Sequence, residues 1–198
     1  MARASKLEDN RQRLLDEGVA MLTMKGYHGT GLKELLGHVS IPKGSFYNYF
    51  DSKEAFCAEA IVHYLKPFIV QVDACLAAPN TNGLVAIQNY FNILINELEE
   101  QDFSGGCLLG NLLGEVGDTS DPCLKELSHS VHLYRDKLKE GFARAQKEGS
   151  ARSDIPAETM ANLMVNNWQG ALLRMKIEKS TQSLKECCEH LLDGYFKR

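Results

Sequence analysis

Nowhere in the 198 residues does an apolar run approach the length needed to cross a bilayer, and the opening MARASKLEDNRQRLL is charged rather than hydrophobic. The expectation is a cytoplasmic chain with no membrane partner. CxxC pairs are also missing. The six cysteines, at 57, 75, 107, 123, 187 and 188, are irregularly spaced, which suits free thiols in a reducing compartment better than a disulfide frame. No strand-like alternation is sustained, so a sheet-based fold is excluded. Internal repeats and low-complexity segments are absent too, which excludes a repeat array. A strong charge of either sign is lacking: the net charge is −4, with eight Lys/Arg against seven Asp/Glu in residues 1–56 and 14 against 19 in the remainder. The total argues against a nucleic-acid partner, but local placement decides phosphate contact, and Arg3, Lys6, Lys43 and Lys53 are the basic groups to follow. What remains is a globular composition, 44% hydrophobic and 24% charged. At this length it forms one large domain or a small one joined to a medium one.

Helical spacing recurs throughout, and nine helices are expected. The first spans about 6–25, with Leu14, Leu15, Val19 and Leu22 inward, and stops at Gly26. Thr30 can cap a second through Val39, with Leu32, Leu35 and Leu36 on its core side. The turn Ser40-Ile41-Pro42 leads to a short third helix over about 43–49. Asp51 and Glu54 stand at capping-box spacing before a long fourth, which Pro67 should kink or end. Leu84, Ile87, Phe91, Leu94, Ile95 and Leu98 mark a fifth. DFSGG leads to a sixth around 107–116, and Ser120-Asp121-Pro122 opens a seventh. An eighth begins near Pro156 and is apolar over much of its circumference. Thr181 or Ser183 starts the ninth.

The stretch IPKGSFYNYFDSKEAF, residues 41–56, crowds aromatic side chains among polar ones. Phe46 and Phe50, four apart, share a face that can pack on the first helix's leucines. The opposite arc carries Lys43, Ser45, Tyr47, Asn48 and Tyr49, and Gly44 leaves room for close backbone approach. Tyrosine hydroxyls and lysine ammonium groups suit phosphates, and Lys, Ser and Asn can read base edges. Lys53, at a helix start, favours an anion. Periodicity alone leaves a short aromatic-rich core helix as an equal reading.

The residues themselves add to this. Gly26-Tyr27, Thr30, Leu32, Leu35, Val39, Lys43-Gly44-Ser45-Phe46-Tyr47 and Phe50-Asp51-Ser52-Lys53-Glu54 closely resemble the N-terminal signature of TetR-family transcriptional repressors, with Tyr49 where histidine is usual and Gly31 where Ser or Thr often stands. The resemblance implies an all-α, nine-helix, two-domain repressor: a helix-turn-helix DNA-binding domain over 1–52 and an effector-binding and dimerisation domain over 53–198. It implies a DNA side made of Thr30, Lys43, Gly44, Ser45, Tyr47, Asn48, Tyr49 and Lys53. It further implies a homodimer on a palindromic double-stranded operator, released by a small-molecule effector, with no enzymatic activity, cofactor or metal. Effector capture would shift the sixth helix against the fourth, beside Pro67.

For the dimer interface the apolar residues Leu163, Ala171, Leu172 and Met175 of the eighth helix and Leu184, Leu191 and Tyr195 of the ninth are expected. SGGCLLGNLLGEVGD resembles the region around the sensing cysteine of NemR-type, electrophile-sensing repressors, so Cys107 and Lys176 are sensor candidates. A thiol at a helix start has its thiolate favoured. The rival is a reversible apolar ligand held by Tyr90, Phe91, Leu112 and Trp168. Cys123 could resolve an oxidised Cys107. A cysteine-dependent enzyme using Cys107 is the reading from another class, and it would need His129 or His132 as base.

Overall fold

The computed structural model describes the backbone of residues 2–116 and 121–198, and the side chains within them except those of 2–5 and Lys43. Among these, regular structure is helical and no strand forms: α1 (Ala2–Gly29), α2 (Leu32–His38), a 3-10 segment (Lys43–Asn48), α3 (Lys53–Ala77), α4 (Gly83–Glu100), α5 (Leu108–Val116), α6 (Asp121–Lys147), α7 (Ala157–Glu178), α8 (Gln182–Cys188) and a π-helical continuation (Glu189–Tyr195). An isolated antiparallel bridge joins Ala151 and Lys197.

Several boundaries follow from local chemistry. Gly26 interrupts α1 with φ 71° and ψ −177°, as expected of a glycine at a helix stop. The cap of α2 is Gly31, without a side-chain bond. Thr30 does not serve, because its hydroxyl donates to the Gly26 carbonyl at 2.7 Å. Nor does Asp51 cap α3; Ser52 does, accepting from the Ala55 N–H at 3.0 Å. Asn82 caps α4 through the Val85 N–H at 2.9 Å. α3 runs on through Pro67 instead of ending there. Contrary to the reading of its hydropathy, α3 is by length and composition apolar enough to cross a membrane.

The chain divides into two compact units, residues 1–66 with 107–131, and residues 67–106 with 132–198. A division at 52/53 would cut Phe56, Cys57, Ala60, Ile61 and Leu65, buried on the first half of α3, away from the core they help to form. Residues 107–131 return to the first unit because α5 buries Leu108, Leu109, Leu112 and Val116, and α6 begins with buried Cys123 and Leu127.

The second unit has its own core, with Ile87, Tyr90, Phe91, Leu138, Phe142, Met160, Met164, Met175, Leu184 and Leu192 buried. Gly83 and Gly141 let α4 and α6 approach closely: a Cβ on Gly83 would lie 2.5 Å from the Ala145 nitrogen. The chain end closes this unit. Phe196 is fully buried with its ring 5.2 Å from that of Phe142, and its carbonyl accepts the Arg152 N–H at 3.0 Å. Phe196→Ala should therefore lower stability by about 3–5 kcal/mol, as for other large-to-small core changes, read as a fall in the denaturation midpoint.

Candidate nucleic-acid interface

The candidate interface is built in the first unit around the turn after α2. Ser40 takes a left-handed φ of 57°, its N–H donates to Gly37 and the Ile41 N–H donates to Leu36 at 2.9 Å, a helix stop that reverses the chain. Val39 and Ile41 bury their side chains, and Arg13 Nη2 holds the turn from α1 by donating to the Val39 carbonyl at 2.8 Å. Pro42, extended at φ −58° and ψ 139°, sets the start of the next segment, and its carbonyl accepts the Ser45 N–H at 2.9 Å.

That segment, the short third helix expected, is a 3-10 helix. With three residues per turn, side chains at i and i+3 eclipse. Gly44 stands in line with Tyr47, and Ser45 with Asn48. Tyr47 is 68% exposed, Asn48 and Gly44 are exposed, and Ser45 is half-buried. A Cβ on Gly44 would meet open space, so the protein's own packing does not require glycine there. The inward side is aromatic. Phe46, Phe50 and Phe56 have centroids 5.5, 5.8 and 5.0 Å apart in their three pairings, mostly edge to face. Arg11 stacks its guanidinium 5.2 Å from the Phe50 centroid and pairs with Glu59. Phe56 is the member that periodicity within the short segment could not supply, since it comes from α3.

The remaining expected residues fall unequally. Tyr49 is half-buried, its hydroxyl accepting from Asn10 Nδ2 at 3.1 Å. Lys53 is not a free ammonium: Nζ donates to the Tyr27 carbonyl at 2.7 Å and lies 4.3 Å from the Tyr27 ring centroid. The Tyr27 hydroxyl donates to Glu54 at 3.1 Å. Burial first, and the Glu54 carboxylate second, push the phenol above its ordinary pKa, so it stays a donor. Hydrogen bonds from its own N–H, from Ser52 and from Tyr27 hold the Glu54 carboxyl below the usual range. Thr30 has to be taken off the DNA side, because it is fully buried and its hydroxyl is used within α1. The side chain of Lys43 lies outside the described residues.

Residues 14–60 match the bacterial regulatory proteins of the tetR family, and residues 83–191 match the tetracyclin repressor-like C-terminal domain. This chain is a TetR-family transcriptional regulator. It is 31% identical over 176 residues to the HTH-type transcriptional repressor DhaR of Mycobacterium sp. (strain GP1), covering 89% of this chain and 87% of that one. It is 27% identical over 183 residues to the repressor NemR of Escherichia coli (strain K12), covering 92% of each. Among solved structures, a regulatory protein TetR from Rhodobacter sphaeroides superposes with a TM-score of 0.86 at 28% identity, covering 92% of this chain and 97% of that one. The reduced form of E. coli NemR gives 0.85 at 27%, covering 92% and 95%. The members of this family are regulators and not enzymes.

The sensor candidates are brought together only in part. Cys107 is half-buried, and its carbonyl accepts the Asn111 N–H at the start of α5. It follows a left-handed stretch in which Asp102 and Phe103 (φ 52° and 57°) are strained, while Gly105 and Gly106 (φ 78° and 81°) take such angles freely. Lys176 occupies the space that a side chain at 106 would need, with Cε 2.6 Å from a Cβ built there. Tyr90, Phe91 and Trp168 meet in the second unit, Phe91 and Trp168 at 4.7 Å, as core, whereas Leu112 is buried in the first unit on α5. Cys123 does not stand ready for Cys107: it hydrogen-bonds the buried Cys57, which raises the Cys57 pKa. Burial pushes Cys187 and Cys188 up to about 11 and about 12. His129 and His132 lie on a solvated face, and among the described residues no group of three ligating side chains could hold a metal.

The apolar residues expected at a dimer interface differ in exposure. Ala171, Leu172, Met175 and Leu184 are buried within the protomer, and Leu163 and Leu191 are half-buried. The outward apolar residues are Leu173 at 60%, Ile177 at 83% and Tyr195 at 50% exposure.

One glycine ties α1 to the aromatic anchor. A Cβ on Gly18 would overlap the Phe56 ring, which Phe46 and Phe50 hold in place. Gly18→Ala should cost about 1–3 kcal/mol by overpacking, measured by urea denaturation.

Proposed function

We propose that this chain is a dimeric repressor that presents the 3-10 segment to the major groove of a palindromic operator and is released when a thiol-reactive small molecule modifies Cys107. The observation that carries the DNA reading is the split within six residues: Phe46 buried, Tyr47 and Asn48 outward. Tyr47 and Asn48 supply hydroxyl and amide groups for phosphates and base edges, Gly44 admits the backbone, and Lys53 and Tyr49 hold the flanks. The DNA-side set is Gly44, Ser45, Tyr47, Asn48 and Tyr49, with Lys43 retained from its place in the segment. For the dimer, Leu173 and Ile177 of α7, four residues apart, join Gly170, which has open space around it, and Tyr195. Two copies joined there would set recognition segments about 34 Å apart, one turn of DNA.

The effector reading rests on Cys107, the half-buried thiol at the head of α5 after a strained stretch, and on the likeness to NemR, whose solved form is described as reduced. An electrophile such as N-ethylmaleimide would add its alkene carbon to the sulfur while the thiol proton goes to the neighbouring carbon, leaving a bulky adduct beside α5. Tyr90, Phe91 and Trp168 pack on one another, which favours core over an apolar ligand site.

Two measurements test this. On a duplex selected by the protein from a random-sequence pool, Tyr47→Ala should weaken binding about 5- to 150-fold, the scale of one good groove contact. Unchanged affinity would remove the segment from the interface. Cys107→Ser should bind that duplex normally yet no longer release it after N-ethylmaleimide. If it releases like the parent, sensing at this thiol is wrong.

A further inference from the structure

α5 grips the break in α1 from both sides. The chain before the break ends a helix and leaves its last carbonyls without in-helix donors, and the turn after it opens with N–H groups that lack acceptors. Asn111 Nδ2 donates to the Thr23 carbonyl before the break at 3.1 Å. The His28 N–H after the break donates to Glu115 Oε2 at 3.1 Å. Asn111 and Glu115 are four residues apart and so share one edge of α5. Between these two bonds lies Gly26, where a Cβ would overlap the Glu115 carboxylate. The missing side chain thus leaves the carboxylate its place.

The residues around the break lead directly to the recognition element. The Gly26 carbonyl accepts the Thr30 hydroxyl, at the entrance to α2. The Tyr27 carbonyl accepts Lys53 Nζ, and the Tyr27 hydroxyl reaches Glu54. Lys53 and Glu54 open α3 just after the 3-10 segment. We infer that Asn111 and Glu115 are positioning residues that pass a movement of α5 to the recognition segment through the α1 break. The direction of coupling rests on the preceding reading, that the effector acts at the head of α5. The clamp itself rests only on bonds within the first unit.

The test uses the full-length protein with Cys75 and Cys187 replaced by serine, and the selected duplex. Its first reading is the ratio of operator Kd after and before N-ethylmaleimide modifies Cys107, with the adduct located by peptide mass. The parent ratio is expected in the range of about 5- to 150-fold typical of coupled sites. Asn111→Asp is isosteric but turns a donor into an acceptor facing the Thr23 carbonyl, and should bring the ratio below about twofold, as should Glu115→Ala. Glu115→Gln keeps an acceptor oxygen for the His28 N–H and should restore the parent ratio, which a merely structural role for the side chain would not require. A ratio in Asn111→Asp and Glu115→Ala equal to the parent's overturns the clamp.

The second reading needs no effector. Operator binding should slow amide exchange over residues 111–116 in the parent and leave it unchanged in Asn111→Asp, because coupling between two sites acts in both directions. Exchange in α5 that ignores DNA in the parent, or responds equally in Asn111→Asp, overturns the clamp. If alkylation leaves the parent's affinity intact, Cys107 is removed as the sensor, and the exchange reading alone decides the clamp.

Discussion

The edge-to-face cluster of Phe46, Phe50 and Phe56 is the contact on which the interface depends. Six residues of 3-10 helix make too few backbone bonds to offset the cost of ordering them, and the hydrogen-bond geometry of such a segment is poor. Its stability has to come from outside itself. Burying a phenylalanine side chain contributes about 1.5–3 kcal/mol, and two of the three rings belong to the segment or its exit. Anchored in this way, the opposite side can stay polar and exposed without unfolding. The same contact explains Gly18, because only a residue without Cβ lets α1 pass across the Phe56 ring.

The anchor was half legible in the sequence. Phe46 and Phe50 declare a shared face by spacing alone, and Gly26 and Pro42 declare where helices stop. Phe56 is separated from Phe46 by a helix start, so no local period links them. Thr30 shows a related competition: as a Thr ahead of an apolar helix it has the form of an N-cap, but the Gly26 break exposes a carbonyl four residues back that its hydroxyl takes first. Lys53 likewise stands where an anion ligand would, but the fold puts the Tyr27 carbonyl and ring beneath it. A local reading fails wherever a backbone group outside the pattern competes for the same side chain.

α7 shows another limit. Helices with one apolar stripe reveal their inward face through the 3.6-residue period. Along MANLMVNNWQGALLRM the period puts Met160, Ala161, Met164, Trp168, Ala171, Leu172 and Met175 on one arc, but it cannot say what the apolar residues on the other arc do. The fold takes Met164, Trp168, Ala171, Leu172 and Met175 inward and leaves Leu173 and Ile177 out. The inward arc is readable in the sequence, whereas the use of the outer apolar residues is not. The pairing of Cys57 with Cys123 is hidden for the same reason as Phe56, since it joins segments far apart in the chain.

α5 combines these constraints in nine residues. Leu108, Leu109, Leu112 and Val116 are buried along one stripe, Asn111 and Glu115 are bonded to α1 along its edge, and Gly110, Leu113 and Gly114 remain outward. A helix committed on two sides has little freedom to bend, because moving its buried stripe without moving its polar edge would open voids or leave carbonyls and N–H groups unpaired. Under the proposed coupling, displacement at its head would pass along its length as a nearly rigid shift. The two glycines on the outward stripe fit this division of labour, since that side makes no packing demand of its own. Asp102 and Phe103, in left-handed backbone, lie a few residues before the head. Under the coupling proposed for Asn111 and Glu115, the rigidity of α5 and the glycine break at its far contact would act together.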